Sequence, residues 1–162
     1  MKAAQQEATA ADYMQRDLIT VSTDHSLREA LALMIENHVT GLPVMDNKAH
    51  CIGLITASDI LNYEQENDDE SADGVTVDVF DSETQQWEAV PVSVFGLEQF
   101  GDVSVREVMT TRLVSVERTT PLRDAARRMI EQHVHRVLVM DAKAHLHGIL
   151  SAYDFARVVA ES

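Results

Sequence analysis

The chain has 162 residues and a mass of 18.0 kDa, a length that suits one compact domain or two small ones with a shared core. Apolar residues make up 45% and charged residues 25%, values that are typical of a folded protein and exclude wholesale disorder. The apolar stretches are far shorter than the roughly 20 residues of a membrane-spanning helix, and the N-terminus lacks the apolar core of a signal peptide. We therefore expect a cytoplasmic protein without a membrane span.

The net charge of −14 is concentrated in the first part of the chain. Residues 1–100 contain 4 Lys and Arg against 19 Asp and Glu, whereas residues 101–162 contain 9 against 8. Nucleic acid binding needs a basic face that displaces counterions, so binding to DNA or RNA is not expected. Arg123, Arg127, Arg128 and Arg136 crowd one short stretch of the second part and favour a local site for an anion.

An internal repeat with an offset of 95 residues organises the chain. Residues 12–61 align with residues 107–156 without a gap, and 20 of the 50 aligned pairs are identical. The identical pairs include Gly53 with Gly148 and Asp59 with Asp154. Since neither copy is long enough to bury a sizeable core alone, we expect the two copies to pack about a pseudo-two-fold axis.

Each copy begins with the same two elements. Capping boxes starting at Thr9 and Ser104 predict a single helical turn before the copy. The β-branched runs at residues 18–21 and 113–116 then predict a short first strand in each copy.

An amphipathic helix is predicted next. Ser26 opens another capping box in the first copy, and in the second Thr120 stands as the cap before Pro121 at the first helical position. Apolar residues recur three and four apart and predict one buried face. They are Leu27, Ala30, Leu31, Met34 and Ile35 in the first copy and Leu122, Ala125, Ala126, Met129 and Ile130 in the second.

Two further strands and a last helix complete each copy. The strands are predicted at residues 42–45 and 51–55 in the first copy and at residues 137–140 and 146–150 in the second. In both copies the pair is joined by Asp-X-Lys-Ala-His, which predicts a hairpin turn without glycine. The last helix is expected to start just after Asp59 or Asp154. The fold class is therefore α+β, with two β-α-β-β-α units.

The region between the copies has a different composition, with 11 acidic residues and no Lys or Arg in residues 62–100. Residues 64–74 are predicted to form a solvated loop. Alternating apolar and polar residues at 75–80 and 87–94 predict a hairpin, in which Pro91 favours an edge position for the second strand.

This acidic region has two interpretations. One is a structured linker between the copies. In the other, Phe80, Trp87 and the acidic loop form a surface for a basic partner.

The two copies resemble the CBS domain, and the pair resembles a Bateman module. The resemblance rests on residues 40–46 and 53–59 of the first copy and on residues 148–154, which repeat the second of these motifs. It implies CBS units at residues 9–61 and 104–159, separated by an acidic linker with a hairpin at residues 62–103. It also implies a binding site in each unit for an adenine nucleotide or S-adenosylmethionine.

The repeated aspartates have the chemistry that such a ligand needs. A carboxylate at the start of a helix, Asp59 or Asp154, can accept hydrogen bonds from both ribose hydroxyls. Thr56 and Ser151, three residues earlier, add a hydroxyl beside helix N-terminal amides that attract phosphate. The alternative is that Ser58 with Asp59, and the matching residues of the second copy, only cap a helix.

The second copy resembles nucleotide-sensing CBS proteins in its His135-Arg136 pair, which by this resemblance contacts phosphate. The first copy has Thr40-Gly41 there and is expected to hold a ligand more by its base and ribose. Leu138 replaces the family's proline, Pro43 in the first copy. The resemblance places adenine against the first strand of each copy. The expected nucleotide-binding residues are Thr20, Val21, Thr40, Gly41, Pro43, Thr56, Ser58, Asp59, Ser115, Val116, His135, Arg136, Ser151, Tyr153 and Asp154.

No metal site or catalytic residue is expected. The histidine pairs at residues 133 and 135 and at residues 145 and 147 lack a third ligand beside them, and two of the four recur at the repeat offset, which favours a structural role. Cys51 is the single cysteine and falls in a strand predicted to be buried, so neither a disulfide nor a nucleophile is indicated.

The sequence thus predicts a regulatory sensor rather than an enzyme, with no cofactor required and an adenine nucleotide or S-adenosylmethionine as regulatory ligand. Its ligand is expected among AMP, ADP, ATP, NAD(H) and S-adenosylmethionine, and its target is an unidentified regulated protein. The apolar stripe of the long helices, together with the resemblance, predicts a homodimer. The alternative is a ligand-independent interaction scaffold that works through the acidic insertion.

Overall fold

The computed structural model describes residues 6–67, 76–82, 84–91 and 103–162. Each copy of the repeat folds in the predicted order β-α-β-β-α after a single helical turn, which confirms the α+β class. No helix of the described residues is both long and apolar enough to cross a membrane.

The elements have the following bounds. The first half contains α1 (Ala10–Tyr13), β1 (Val21–Ser22), α2 (Leu27–Asn37), β2 (Gly41–Met45), β3 (Cys51–Thr56) and α3 (Ala57–Asn67). The region between the copies contains β4 (Thr76–Asp81) and β5 (Gln86–Pro91). The second half contains α4 (Val105–Val108), β6 (Ser115–Val116), α5 (Leu122–Gln132), β7 (Arg136–Met140), β8 (Leu146–Ser151) and α6 (Ala152–Glu161).

Each copy forms a three-stranded sheet. β1 runs parallel to β2, which pairs antiparallel with β3, and β6, β7 and β8 repeat this arrangement. The register places Gly41 opposite Thr56 and Arg136 opposite Ser151. The start of the middle strand therefore lies beside the residue that precedes each last helix.

The predicted turn between the second and third strands is confirmed, and it depends on aspartate and alanine rather than glycine. Asp46 Oδ1 accepts hydrogen bonds from the backbone amides two and four residues later, at 2.9 and 2.8 Å. Ala49 takes the left-handed position with φ 64°, and Asp141 with Ala144 repeats the arrangement. A short polar side chain thus fixes the turn in both copies.

The described residues form two compact units, and the chain crosses between them twice. The first-copy unit is Ile19–Leu113, and the second-copy unit is the described part of residues 1–18 together with Val114–Ser162. β1 and β6 are each only two residues long, so the strands predicted at residues 18–21 and 113–116 are too long. Their first residues, Leu18 and Leu113, are the last residues before the chain crosses between the units.

Each unit is completed by a segment that precedes the other copy in the sequence. In the second-copy unit, the backbone of Gln15 exchanges two hydrogen bonds with that of Ile149, at 2.8 and 3.0 Å. In the first-copy unit, Thr110 and Leu54 do the same at 2.9 and 2.8 Å. We call these two segments, the described part of residues 1–18 and residues 103–113, the exchanged segments. They contain the helical turns α1 and α4, whose predicted capping boxes at Thr9 and Ser104 are confirmed.

The start of α5 differs from the prediction. Thr120 does not cap this helix, because its Oγ1 accepts a hydrogen bond from the Glu117 amide at 3.0 Å. Pro121 takes the cap position itself, and the amide of Leu122 donates to the Ala8 carbonyl at 3.0 Å. The exchanged segment supplies an acceptor that a capping side chain supplies elsewhere.

The long helices bury most of the predicted apolar face. Leu27, Ala30, Leu31 and Met34 are buried in α2, and Leu122, Ala125 and Met129 are buried in α5. Ile130 is 74% exposed, so its predicted burial is wrong. The matching Ile35 packs against a core that includes Val79 of the hairpin, and the described part of the second-copy unit contains no such hairpin.

β4 and β5 form an antiparallel hairpin within the first-copy unit. Phe80 lies opposite Trp87, with ring centroids 5.4 Å apart, and Trp87 is 69% exposed. β5 packs against α3, which continues to Asn67, so the loop predicted from residue 64 begins too early. The rest of that loop and residues 92–94 of the predicted second strand lie outside the described residues.

Candidate functional site

The start of each last helix is a capping box. In the second-copy unit the Ser151 amide donates to Asp154 Oδ2 at 2.8 Å, and Ser151 Oγ donates to the same atom at 3.2 Å. In the first-copy unit the Thr56 amide donates to Asp59 Oδ2 at 3.0 Å, and the Asp59 amide donates to Thr56 Oγ1 at 3.1 Å. The caps are therefore Thr56 and Ser151, and the exposed Ser58 lies inside the first turn.

Both carboxylates have a further neighbour from the exchanged segment. Gln15 Nε2 lies 3.4 and 3.5 Å from the two carboxylate oxygens of Asp154, and Thr110 Oγ1 donates to Asp59 Oδ1 at 3.3 Å. Asp154 is fully buried, while Asp59 is half-buried. Arg157 Nη2 lies 3.9 Å from Asp154 Oδ1.

Gln15 and Thr110 were not among the residues expected from the sequence. The two occupy equivalent positions of the repeat, directly after Met14 and Met109. Their equivalence in the repeat is the one sequence feature that marks these two residues. It does not reveal that each side chain reaches the aspartate carboxylate of the other copy.

The two residues of the basic pair in the second copy, His135 and Arg136, lie in different surroundings. Arg136 is half-buried and lies opposite Ser151 in the β7–β8 register. His135 is exposed and lines an open groove of about 580 Å³ with Ile130 and Phe155. Successive residues of an extended chain point to opposite faces, so of the two Arg136 is the residue beside the capping box.

The corresponding residues of the first copy are covered. Thr40 is fully buried and hydrogen-bonded to Asp81 of the hairpin, and Gly41 is buried. Pro43 is buried in the middle strand opposite Leu54, as Leu138 is opposite Ile149.

The first strands lie at the far edge of each sheet from the capping box. Thr20 is exposed and Val21 buried. Ser115 and Val116 line an open cavity of about 700 Å³ with residues of α5 and the β7–β8 turn, and among its described lining residues Ser151 and Asp154 are not present. Tyr153 is 41% exposed on the first turn of α6.

Among the described residues, no group of three or more His, Cys, Asp or Glu side chains is arranged to hold a metal ion. Cys51 is buried as predicted, and burial raises the pKa of its thiol. A raised pKa lowers the thiolate fraction on which nucleophilic reactivity depends.

The fold and the repeated boxes define a protein built from tandem β-α-β-β-α units of the CBS type. A family model of the CBS domain matches residues 10–66 and 105–161. The chain therefore belongs to the CBS domain family.

Similar proteins include other CBS domain-containing proteins. CBSX1, a chloroplastic CBS domain-containing protein of Arabidopsis thaliana, is 29% identical over 156 residues, which are 94% of this chain and 64% of CBSX1. The chain thus spans less than two thirds of that relative.

Two solved structures share the fold. The structure of CBSX2 in complex with AMP has a TM-score of 0.67 at 27% identity and covers 94% of this chain and 96% of that one. The CBS domain pair of MJ0100, in complex with 5′-methylthioadenosine and S-adenosyl-L-methionine, has a TM-score of 0.69, covers 96% and 98%, and at 18% identity shows likeness of fold alone.

Proposed function

We propose that this protein is a sensor of an adenosyl ligand and that AMP is the first ligand to test. ADP, ATP, NAD(H) and S-adenosylmethionine share the adenosyl group and form the wider ligand class. Membership of the CBS family and the AMP complex of CBSX2 support the proposal. Ligand binding would favour one conformation by its differential affinity and so change the surface offered to a regulated protein.

The observation that carries the proposal is the polar cluster at the start of α6. Asp154 has its two oxygens within 3.5 Å of Gln15 Nε2, a side chain on a separate segment. Distances of 3.4 and 3.5 Å are long for hydrogen bonds, so this contact is weak and easily replaced. A ribose with two adjacent hydroxyls would replace the Gln15 amide and donate to both oxygens in shorter, charge-assisted bonds.

The same cluster suits a phosphate group. Arg136 lies opposite Ser151 in the register, and the guanidinium fork matches phosphate oxygens. The N-terminus of α6 adds backbone amides and a favourable helix dipole. We therefore assign the nucleotide to the second-copy unit, with Asp154 at the ribose and Arg136 at the phosphate.

Substitution of Asp154 tests the ribose contact. Asp154→Asn keeps the size of the side chain and an acceptor for the Ser151 amide but removes the charge, so the helix start is retained. AMP binding is expected to weaken by about 1.5–3 kcal/mol, the usual contribution of hydrogen bonds to a charged group. Isothermal titration calorimetry measures the change.

The repeat offers a matched control. Asp59→Asn is the same substitution at the equivalent position of the first-copy unit and should leave AMP affinity unchanged. Equal affinity of the wild type and Asp154→Asn would show that the ribose site is elsewhere.

A ligand-independent scaffold is the second candidate function, and Trp87 favours it. This side chain is 69% exposed on a hairpin in an insertion that carries acidic residues and no basic ones. An exposed aromatic ring in an insertion of acidic composition suits a basic partner. The same titrations distinguish the candidates, because a scaffold of this kind binds none of the adenosyl ligands.

A further inference from the structure

The second-copy unit has an open groove along α5 whose counterpart in the first-copy unit is covered. The α5 groove has a volume of about 580 Å³, and its mainly apolar lining includes Met129, Ile130, Val134, His135 and Phe155. At the repeat offset the first-copy unit has residues that are buried or packed against its core, namely Met34, Ile35, Val39, Thr40 and Ile60. Val79 of the β4–β5 hairpin belongs to the same core. The hairpin is therefore the element that covers this surface in the first-copy unit.

The first-copy surface also supplies two backbone groups to the hairpin. The Thr40 amide donates to Asp81 Oδ2 at 3.0 Å, and the His38 carbonyl accepts from the amide of the residue after Asp81 at 2.7 Å. The equivalent groups of the α5 groove are the His135 amide and the His133 carbonyl, and within the described part of the chain neither has a protein hydrogen-bond partner. The α5 groove thus offers a similar apolar surface, the same donor and the same acceptor, all uncovered.

The hairpin has two faces, and each combines an apolar side chain with a carboxylate two residues away. Val79 and Asp81 form the inner face, which is buried against the first-copy unit. Because successive residues of a strand point to opposite sides, Asp78 and Phe80 lie on the outer face, where Phe80 pairs with Trp87. Asp78 and Trp87 are exposed. The outer face therefore repeats, in reversed order, the combination with which the inner face binds its own unit.

Charge favours a second copy of the chain as the molecule that fills the α5 groove. Residues 62–100 carry 11 acidic residues and no Lys or Arg, whereas residues 101–162, which include the groove, carry 9 Lys and Arg against 8 Asp and Glu. A contact between the acidic insertion of one chain and the nearly neutral second half of another avoids the repulsion between two acidic regions. Trp87 and Ile130 are both exposed in the single chain, so any cover for them comes from another molecule. A second copy supplies both surfaces at once.

We propose that the outer face of the hairpin docks in the α5 groove of a second copy of the chain, so that Trp87 and Ile130 are buried in the same interface. The Asp78 carboxylate accepts from the His135 amide, as the carboxylate of the inner face does from the equivalent amide of its own unit. The rings of Phe80 and Trp87 fill the apolar part of the groove. In a two-fold dimer this contact forms twice, since each chain contributes its hairpin to the groove of the other.

Trp87 reports on this interface directly, because it is the single tryptophan of the chain. When the wild-type protein is concentrated to tens of micromolar, sedimentation velocity should show a dimer. Over the same concentration range the tryptophan emission should shift to shorter wavelength, and its quenching by acrylamide should fall. In Ile130→Glu the protein should stay monomeric, and neither fluorescence change should occur.

A charge reversal tests the carboxylate of the outer face. Asp78→Lys should weaken the dimer about tenfold or more, because a hydrogen bond to a charged group is lost. Asp24→Lys is the matched control, since it makes the same change at another exposed position of the first-copy unit that lies outside both the hairpin and the α5 groove. Its dimer affinity should stay close to that of the wild type.

Three results would overturn the proposal. They are a wild-type protein that stays monomeric, a dimer in which Trp87 remains as open to acrylamide as in the monomer, and equal weakening by Asp78→Lys and Asp24→Lys. The second result would mean that the α5 groove meets some other surface of the second copy. None of these measurements involves a nucleotide, so their outcome is separate from that of the proposed function.

Discussion

The Asp141 side chain accepts hydrogen bonds from the backbone of its turn and also contacts two histidine rings. Its Oδ1 accepts from the amides of Lys143 and His145 at 2.8 and 3.0 Å, and its Oδ2 lies 3.1 Å from His145 Nδ1 and 3.3 Å from His147 Nε2. These contacts, the His145 amide first among them, hold the pKa of Asp141 well below its usual range.

The equivalent residue of the first copy has fewer ring contacts. Asp46 accepts from the backbone of its turn and lies 3.4 Å from His50 Nδ1, but Ile52 stands where the second copy has His147. The His50 amide is the main cause that lowers the pKa of Asp46.

We predict that Asp141 titrates at a lower pH than Asp46, because it has the additional ring of His147. Both carboxylates stabilise the fold above their unfolded pKa, near 4, and this stabilisation is lost as the pH falls through the lowered folded pKa. Carboxyl-carbon NMR titration measures the order directly. In urea unfolding, Asp141→Asn should lose less stability than the wild type between pH 5 and pH 2. A titration of Asp141 at or above that of Asp46 would contradict the role of His147.

For individual residues, the sequence repeat predicts part of the candidate site. Ser151 and Asp154 are identifiable because their spacing recurs in both copies, although the capping alternative also fits that spacing. Gln15 and Asp81 are not identifiable, since they contact residues 139 and 41 positions away and no local pattern encodes such contacts. Tertiary packing, rather than sequence spacing, decides what surrounds each carboxylate.

The exchanged segments depend on two repeated glycines. A Cβ atom built at Gly148 would lie 2.7 Å from both Cγ and Sδ of Met14 and 2.8 Å from the Gln15 carbonyl oxygen. At Gly53 the nearest atom is the flexible end of Met109, at 2.5 Å, and the Thr110 carbonyl oxygen is 3.3 Å away. An added Cβ atom would therefore approach the neighbouring backbone more closely at Gly148 than at Gly53.

Gly148→Ala is expected to destabilise the protein by about 1–3 kcal/mol, the usual cost of overpacking, because the backbone of Gln15 must move. Gly53→Ala is the matched control and should cost less, since the Met109 side chain can change rotamer. Urea unfolding of both variants gives the comparison. An equal or larger loss for Gly53→Ala would mean that the Met109 contact, rather than the backbone approach, limits the packing.

Most elements of the fold follow from local patterns. The helices α2 and α5 and the turns at Asp46 and Asp141 are predictable because capping, periodicity and turn chemistry act within a few residues. The lengths of β1 and β6 are not, since the β-branched residues before them favour a longer strand than the two residues that pair with β2 or β7.

The molecule as a whole combines two similar units with unequal surroundings. The first-copy unit contains the described hairpin of the acidic insertion, which covers Thr40 and adds Val79 to the core. In the second-copy unit His135, which matches Thr40, is exposed, and Arg136, which matches Gly41, is half-buried. Equivalent positions of the two copies therefore differ in accessibility, since Thr40 is buried and His135 is exposed.

In the second-copy unit, whose described part contains no hairpin, an apolar surface of α5 is exposed. Ile130 is 74% exposed and lines the groove of about 580 Å³ together with Ala126, Met129 and Phe155. An exposed apolar groove on a folded unit is typical of an interaction surface.

We predict a homodimer in which Ile130 is buried against a second copy of the chain. Ile130→Glu should leave the fold intact, because the side chain is mostly exposed in the single chain, but it should shift the protein to monomer by placing a charge in an apolar contact. Val159→Glu is the matched control, since Val159 is also 74% exposed and lies outside the residues that line the groove. Sedimentation velocity at tens of micromolar protein distinguishes the two variants. A monomeric wild type, or a dimer that survives Ile130→Glu, would rule out this surface as the interface.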